Sequence, residues 1–314
     1  MTRRIYVAGH TGLVGSALGR AVRSRGDVCA QGEERVDFRD REATFAAIAA
    51  GRPDVVVLGA GRVGGLGANL ARPVEFLDEN LRIQGNVLAA SLAAGVERLL
   101  FVGSANAYPA AAPQPISEDA LETAELDPST RPYGLAKLVG ARLCEAYSAQ
   151  HGVTYHSVMP CNLYGPGDRF DLATAHVVAA TLRRFGDAVA DGREQVVVWG
   201  SGSQRRQLMH ADDLAAACLV LLDQEHPPSV VNAGPRGDTS VREIAELAAG
   251  IVGFDGEIAF DATKPEGVLR RELDTSRIHD LGWTPQHSLE DGMRSTWQWY
   301  VEQERRAPMT ETFA

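Results

Sequence analysis

Short apolar runs alternate with longer stretches of helical period through the first half of the chain. Residues 5–8, 55–58 and 99–102 are unbroken apolar runs of strand length, and 157–159 reads as a further short strand. Over 13–25, 74–94 and 132–150 apolar positions recur at three- and four-residue spacing, which predicts helices. A strand with no polar alternation is covered on both faces. The pattern therefore predicts the α/β class, with a doubly wound parallel sheet of Rossmann type. After residue 165 the alternation loosens. There 193–199 reads as a strand, 212–222 and 241–252 as helices, 285–302 as the end of the ordered chain, and the polar tail from 303 as frayed. We expect a first domain over 1–165, to which a segment at about 204–234 returns, and a smaller α/β domain over 166–314 that carries the substrate.

Composition removes several function classes. The 314 residues are 45% hydrophobic with a net charge of −10, which gives no basic field for nucleic acid. No apolar run approaches the roughly 20 residues of a membrane span, so no membrane partner is expected. The N-terminus enters a strand-like run at once, without the h-region of a signal peptide. Cys29, Cys144, Cys161 and Cys218 lack C-x-x-C spacing, and the eight histidines include no H-E-x-x-H pair. The expectation is a cytoplasmic chain with reduced thiols and no metal site.

The first chemical signal follows the first strand. In V-A-G-H-T-G-L-V-G-S, residues Gly9, Gly12 and Gly15 fit G-x-x-G-x-x-G where a strand gives way to a helix. Early glycines allow a tight turn against a pyrophosphate, and the last allows close helix–strand packing. The N–H groups of Leu13 and Val14 then open a helix whose dipole favours the anion. A plain tight turn is the bland alternative, but its place at the head of an alternating chain favours a dinucleotide. The stretch G-E-E-R-V-D-F-R-D closes the second βα unit. An acidic residue there favours ribose hydroxyls and an arginine favours a 2′-phosphate. Glu33, Glu34 and Arg35 stand side by side, with Asp37 expected near the adenine, so NAD(H) and NADP(H) both remain open.

The second signal is catalytic. G-S-A-N-A-Y follows the strand at 99–102, and Y-G-L-A-K lies further on. Tyr133 and Lys137 are one helical turn apart on one face. A cationic lysine there is expected to lower the phenol's pKa and to hold the nicotinamide ribose. The phenol then acts as general acid on a carbonyl being reduced, with Ser104 bonded to the same oxygen.

Together these residues resemble the extended short-chain dehydrogenase/reductase family. G-R-V-G-G (61–65), H-S-V-M-P-C-N-L-Y-G-P (156–166), A-H-V-V-A-A-T-L-R-R-F (175–185), V-V-V-W-G-S-G-S (196–203), K-P-E-G (264–267) and L-G-W (281–283) are similar, in order and spacing, to the GDP-L-fucose synthases within it. That resemblance implies an NADPH-dependent homodimer acting on GDP-4-keto-6-deoxy-D-mannose, epimerising C3 and C5 and then reducing C4. By position it implies Ser104, Tyr133 and Lys137 as the reducing triad and His176 as the epimerisation histidine. It also implies Asn162, Val177, Arg184, Trp199, Arg206 and Arg270 as contacts to the GDP-sugar. Arginine suits a diphosphate because its fork binds in bidentate fashion.

Three departures qualify the resemblance. Asn106 stands where the family keeps its acid/base cysteine, and a carboxamide cannot exchange a proton near neutral pH. Epimerisation needs a base on one face of a carbon and an acid on the other, so C4 reduction with little or no epimerisation is expected. Cys161, just before Asn162, is the one thiol that could substitute. Thr11 replaces an arginine in the glycine loop, which brings NADH into range. S-G-S-Q-R-R-Q-L replaces S-G-T-P-M-R-E-F, so Arg205 and Gln207 alter the surroundings of the diphosphate and leave the sugar and base open. An NAD-retaining nucleotide-sugar 4-epimerase and a regulatory dinucleotide-binding protein are the alternatives. A 4,6-dehydratase is disfavoured by the lack of a carboxylate after Ser104.

Overall fold

The computed structural model describes residues 2–32, 34–264 and 268–306. In chain order the first half runs β1 (Arg4–Ala8), α1 (Leu13–Ser24), β2 (Val28–Cys29), α2 (Arg41–Gly51), β3 (Val55–Leu58), α3 (Leu66–Ala71), α4 (Pro73–Ala93), β4 (Arg98–Val102), α5 (Arg131–His151) and β5 (Thr154–Pro160). The second half runs β6 (Asn162–Tyr164), α6 (Val177–Ala190), β7 (Gln195–Trp199), β8 (Arg205–Arg206), β9 (Leu208–His210), α7 (Ala211–Asp223), β10 (Val230–Ala233), β11 (Thr239–Ser240), α8 (Val241–Val252), β12 (Glu257–Asp261), β13 (Arg270–Arg271), α9 (Ser276–Asp280) and α10 (Leu289–Arg306).

Six parallel strands form the main sheet in the order β10-β5-β4-β3-β1-β2. The predicted doubly wound sheet is therefore present. Its apolar runs are unbroken because successive side chains enter different cores. Ile5, Val7, Val57, Leu100 and Val102 face one helical layer. Tyr6, Val56, Leu58, Leu99 and Phe101 face the other. The chain leaves β1 toward β2 on one side and continues through β3 on the other. This opens a crevice beyond the carboxyl ends of β1 and β3, where such sheets bind ligands.

The second lobe has its own core, built from Leu182, Phe185, Ile244, Ala248, Phe254 and their neighbours. The chain does not divide simply between the lobes. Strand β10 completes the main sheet beside β5, and α7 packs on α1. Leu273, Ile278 and Trp283 also lie in the first core. Residues beyond 234 thus contribute side chains to the core of the first lobe as well. The apolar faces of α9 and its flanks have their complement under β10, and Trp283 Nε1 donates to the Asp213 carbonyl (3.1 Å).

Helix α10 starts at Leu289, where the Ser288 hydroxyl accepts the Asp291 N–H (3.1 Å). It also runs to Arg306, past the point where the chain reads as frayed. Residues 307–314, Glu33 and residues 265–267 of the K-P-E-G motif lie outside the described residues.

Among the described residues one group, His210, Asp212 and His287, brings possible metal ligands within 4.8 Å of one another. Its geometry is that of a clasp. His210 Nδ1 accepts the Asp212 N–H (3.3 Å), His287 pairs with buried Asp213 (2.9 Å), and the two imidazoles stack at 4.1 Å. Stacked rings direct their in-plane lone pairs along parallel planes rather than at one ion. No described helix is long and apolar enough to cross a membrane.

Candidate active site

The glycine turn is built for a close backbone approach. Gly9 has φ +90°, which favours glycine, and a Cβ there would lie 2.8 Å from the Ala60 backbone. A Cβ on Gly15 would lie 2.0 Å from the Gly9 carbonyl oxygen, so α1 can start against the turn only without that side chain. Gly12 is the N-cap of α1, with no side-chain cap and no acidic residue in the first turn. The first-turn N–H groups, those of Leu13 and Val14 among them, therefore face the crevice without an intrahelical acceptor, which suits a pyrophosphate.

A cavity of about 870 Å³ lies between the loop after β2 and the G-R-V-G-G segment, its lining including Arg35, Asp37, Phe38, Arg39, Gly61 and Arg62. Asp37 is held by Arg39 through Nε–Oδ1 (2.8 Å) and Nη2–Oδ2 (2.7 Å) bonds, which keep its carboxyl below the usual range. Arg39 also reaches Glu79 (3.4 Å). Glu34 is exposed and does not line the cavity; Arg35 does.

The candidate catalytic group forms where β4 meets α5. Ser104 caps a single 3₁₀ turn (Ala105–Ala107), accepting the Asn106 N–H at 3.2 Å, and lies close enough to the Tyr133 phenol to lower its pKa. Gly134 lets α5 approach this turn, since a Cβ there would lie 2.2 Å from the Asn106 carbonyl oxygen. Lys137 is buried; its Nζ donates to the Val102 carbonyl (2.8 Å) and lies 4.8 Å over the Phe101 ring and 5.9 Å from the Tyr133 ring centre. The G-R-V-G-G motif forms the facing wall. A Cβ on Gly61 would lie 2.8 Å from Asn80 Oδ1 and 3.6 Å from Lys137 Nζ.

Burial pushes the Tyr133 phenol up to about 12, against the neighbouring Ser104 hydroxyl, which lowers it. Burial thus sets the direction, the reverse of the one expected. Burial also pushes Lys137 down to about 8. At neutral pH the phenol holds its proton and the lysine is mostly charged, as a general acid with a cationic neighbour requires. Because the lysine's pKa is depressed, its charge is present below about 8 and lost above it. We expect kcat/KM for ketone reduction to fall as pH rises through about 8. A Lys137→Arg variant, which stays charged, should lose that limb. A pH profile of both proteins checks this.

His176 is the N-cap of α6, and Val177 is its first residue. Burial and then Arg169 push the imidazole down, favouring its neutral form. The loop before it docks on the glycine motif: Gly65 N–H donates to the Thr174 carbonyl (2.9 Å). Phe76, 3.2 Å from a Cβ on Gly64, stands edge-on to Tyr133 at 6.0 Å.

On the substrate side, Asn162 is exposed at the start of β6. Trp199 is 55% exposed and is not a core residue; the Arg184 guanidinium lies 5.6 Å over its ring. Arg206 is half-buried and its Nη1 donates to the carbonyls of Arg205 (2.8 Å) and Val268 (2.9 Å). Arg270 is drawn instead into a carboxylate group, bonded to Asp238 and to Glu272 (2.6 Å). Arg205 binds the other oxygen of Asp238 (2.5 Å). Cys161 is buried, and burial drives its thiol upward. One residue was not anticipated. Arg271 is 9% exposed and donates from Nη1 to Asn106 Oδ1 at 2.6 Å.

The sequence profile described as "NAD dependent epimerase/dehydratase family" matches residues 5–234. The chain belongs to this family. Among curated family members, GDP-L-fucose synthase 1 of Arabidopsis thaliana is 44% identical over 301 residues, 95% of this chain and 93% of its own. The GDP-L-fucose synthase of Escherichia coli strain K12 is 41% identical over 315 residues, 97% of this chain and 98% of its own. Among solved structures, a GDP-mannoheptose C4 reductase from Campylobacter jejuni with NADP bound superposes with a TM-score of 0.85 at 31% identity, covering 96% of this chain and 98% of that one. The likeness read from the motifs thus extends over nearly the whole chain.

Proposed function

We propose that this chain reduces the C4 ketone of a GDP-linked 4-keto-6-deoxy sugar with NADPH and does not epimerise C3 or C5. The observation that carries the reading is the Ser104–Tyr133–Lys137 group beside an Asn106 carboxamide held by Arg271. Bound nicotinamide supplies the hydride. The residues of the chain do the rest: Tyr133 delivers a proton to the carbonyl oxygen, Ser104 aligns that oxygen, and Lys137 keeps positive charge beneath the site. Asn106 has no titratable proton and Cys161 is buried, so the centre lacks a partner for His176 in moving protons on and off carbon.

Two finer points accompany the reading. Arg35, rather than Glu34, lines the cavity at the adenosine end, which supports NADPH over NADH. Leu135, on the exposed side of the helix that carries Tyr133 and Lys137, supports placing a homodimer contact there. Three buried unpaired cysteines suit a reducing cytoplasm.

The test is an NMR-monitored reaction in heavy water with GDP-4-keto-6-deoxy-D-mannose and NADPH or NADH in parallel. The expected result is cofactor oxidation, faster with NADPH, with no deuterium at C3 or C5. Deuterium at both carbons would overturn the reductase-only reading, and no oxidation with either cofactor would overturn the choice of substrate.

A further inference from the structure

Three departures from the family pattern, Asn106, Arg205 and Gln207, meet at one segment of the chain. Residues 268–274 form a strap that crosses from the substrate side to the catalytic turn. Arg205 N–H donates to the Leu269 carbonyl (2.8 Å), and β8 pairs with β13. Buried Gln207 accepts the Leu273 N–H at Oε1 (3.0 Å), and its Nε2 donates to the carbonyls of Pro235 (2.6 Å) and Leu273 (3.4 Å). A glutamate, the family's residue, has no such donors when ionised. From the other side Ile116 N–H donates to the Glu272 carbonyl (2.8 Å), and Gln114 Oε1 accepts the Glu272 N–H (2.7 Å). The strap is thus pinned on both edges, with Arg271 turned inward.

Arg271 meets the catalytic turn with donors only. Nη1 bonds Asn106 Oδ1 (2.6 Å) and the Ala105 carbonyl (3.4 Å), Asp127 lies 3.7 Å from Nη2, and Nη2 itself has no hydrogen-bond partner. Because arginine has no acceptor, the carboxamide can take only one orientation: Oδ1 toward Arg271 and Nδ2 away from it. Asn106 is half-buried, and its Nδ2 is not among the buried unpartnered atoms. Its backbone N–H donates to the Ser104 hydroxyl (3.2 Å), which stands beside the Tyr133 phenol and lowers its pKa.

We propose that Arg271 is a positioning residue that locks Asn106 as a hydrogen-bond donor to an oxygen of the sugar beside the reacting carbon. The position where the family moves a proton has become one that reads ring configuration. The amide presents N–H groups polarised by a neighbouring guanidinium, so its partner is an acceptor: a hydroxyl oxygen of a hexose whose C3 configuration leaves that oxygen within reach. Gln207 and Arg205 serve the same end by fixing the strap.

The proposal rests on the GDP-sugar reading above, and its test separates the two. Binding of GDP and of GDP-mannose is measured by calorimetry with NADP⁺ present, for the wild type, Asn106→Ala, Arg271→Met, Arg271→Lys and the double Asn106→Ala/Arg271→Met variant. The expected result is that Asn106→Ala and Arg271→Met each lose about tenfold in the preference for GDP-mannose over GDP. The double variant should lose no more than either alone, Arg271→Lys should recover part of the loss, and affinity for GDP should hold throughout. Equal and additive losses for GDP and GDP-mannose would overturn the proposal. If the wild type binds neither ligand, the GDP-sugar reading fails. The proposal then stands or falls on the ¹⁵N-labelled side-chain amide of Asn106, whose two proton signals must shift in Arg271→Met. An unchanged amide pair in that variant would overturn it.

Discussion

Replacing Tyr133 by Phe lowers kcat for ketone reduction by about 10²–10⁴-fold while cofactor affinity changes little. The change removes one oxygen at the junction of β4 and α5. In the proposed mechanism that oxygen delivers the proton to the substrate, with the Ser104 hydroxyl beside it. What remains supports binding: the ring keeps its edge-on contact with Phe76 at 6.0 Å, and Lys137 keeps its bond to the Val102 carbonyl (2.8 Å). The phenol's high pKa sharpens the expectation. With Tyr133 near 12, the protonated acid is the working form across the usable pH range, so the variant is impaired at every pH. Steady-state kinetics and a fluorescence titration with NADPH decide the matter. A dinucleotide-binding regulator would lose nothing in either measurement.

The second large effect is expected at Gly15. A methyl group there would sit 2.0 Å from the Gly9 carbonyl oxygen and 2.6 Å from the His10 Cα, all backbone atoms that cannot swing aside. Helix α1 must therefore move away from the turn. Overpacking of this kind costs about 1–3 kcal/mol. The larger consequence is functional: displacing a binding element by about 1 Å costs on the order of 10²-fold. We expect Gly15→Ala to bind NADPH about a hundredfold more weakly and to melt several degrees lower. Gly12→Ala is the control, because its Cβ would meet the Gly9 oxygen at an ordinary 3.6 Å and its φ is −85°. Apo melting curves should separate the two variants. Equal loss of apo stability would mean that the steric argument is wrong.

Much of the fold is legible in the chain because buried parallel strands have an unmistakable signature. V-V-V-L at Val55–Leu58 has no polar alternation, since both faces of the sheet are covered. Strand β2 escaped notice because it is two residues long, between a tight turn and a charged loop. The start of α10 is set by capping, to which periodicity is blind, and Ser288 decides it. The distribution of the chain between lobes could not be read from local pattern. Trp283 looks the same whichever core it fills.

The site was legible where chemistry dictates spacing. Tyr133 and Lys137 must share a helix face, and Gly9 and Gly15 must flank a turn, so their positions carry the signal. It was less legible where residues compete for one role. Arg270 and Arg271 are neighbours in a two-residue strand, and successive strand side chains point to opposite faces. Arg270 therefore meets Asp238 and Glu272 at the surface, and Arg271 meets Asn106 inside. The period-two rule was available from the sequence; which arginine faced inward was not.

Trp283 and β10 also constrain how this protein comes into being. On the ribosome the first lobe emerges early, but its sheet lacks an edge strand until residues 230–233 are made, and one core lacks Ile278 and Trp283 until the chain is nearly complete. The nascent dinucleotide half must wait with an apolar layer uncovered. Folding of this enzyme is thus tied to the end of its synthesis, and neither lobe can be exchanged between relatives as a single uninterrupted stretch of gene.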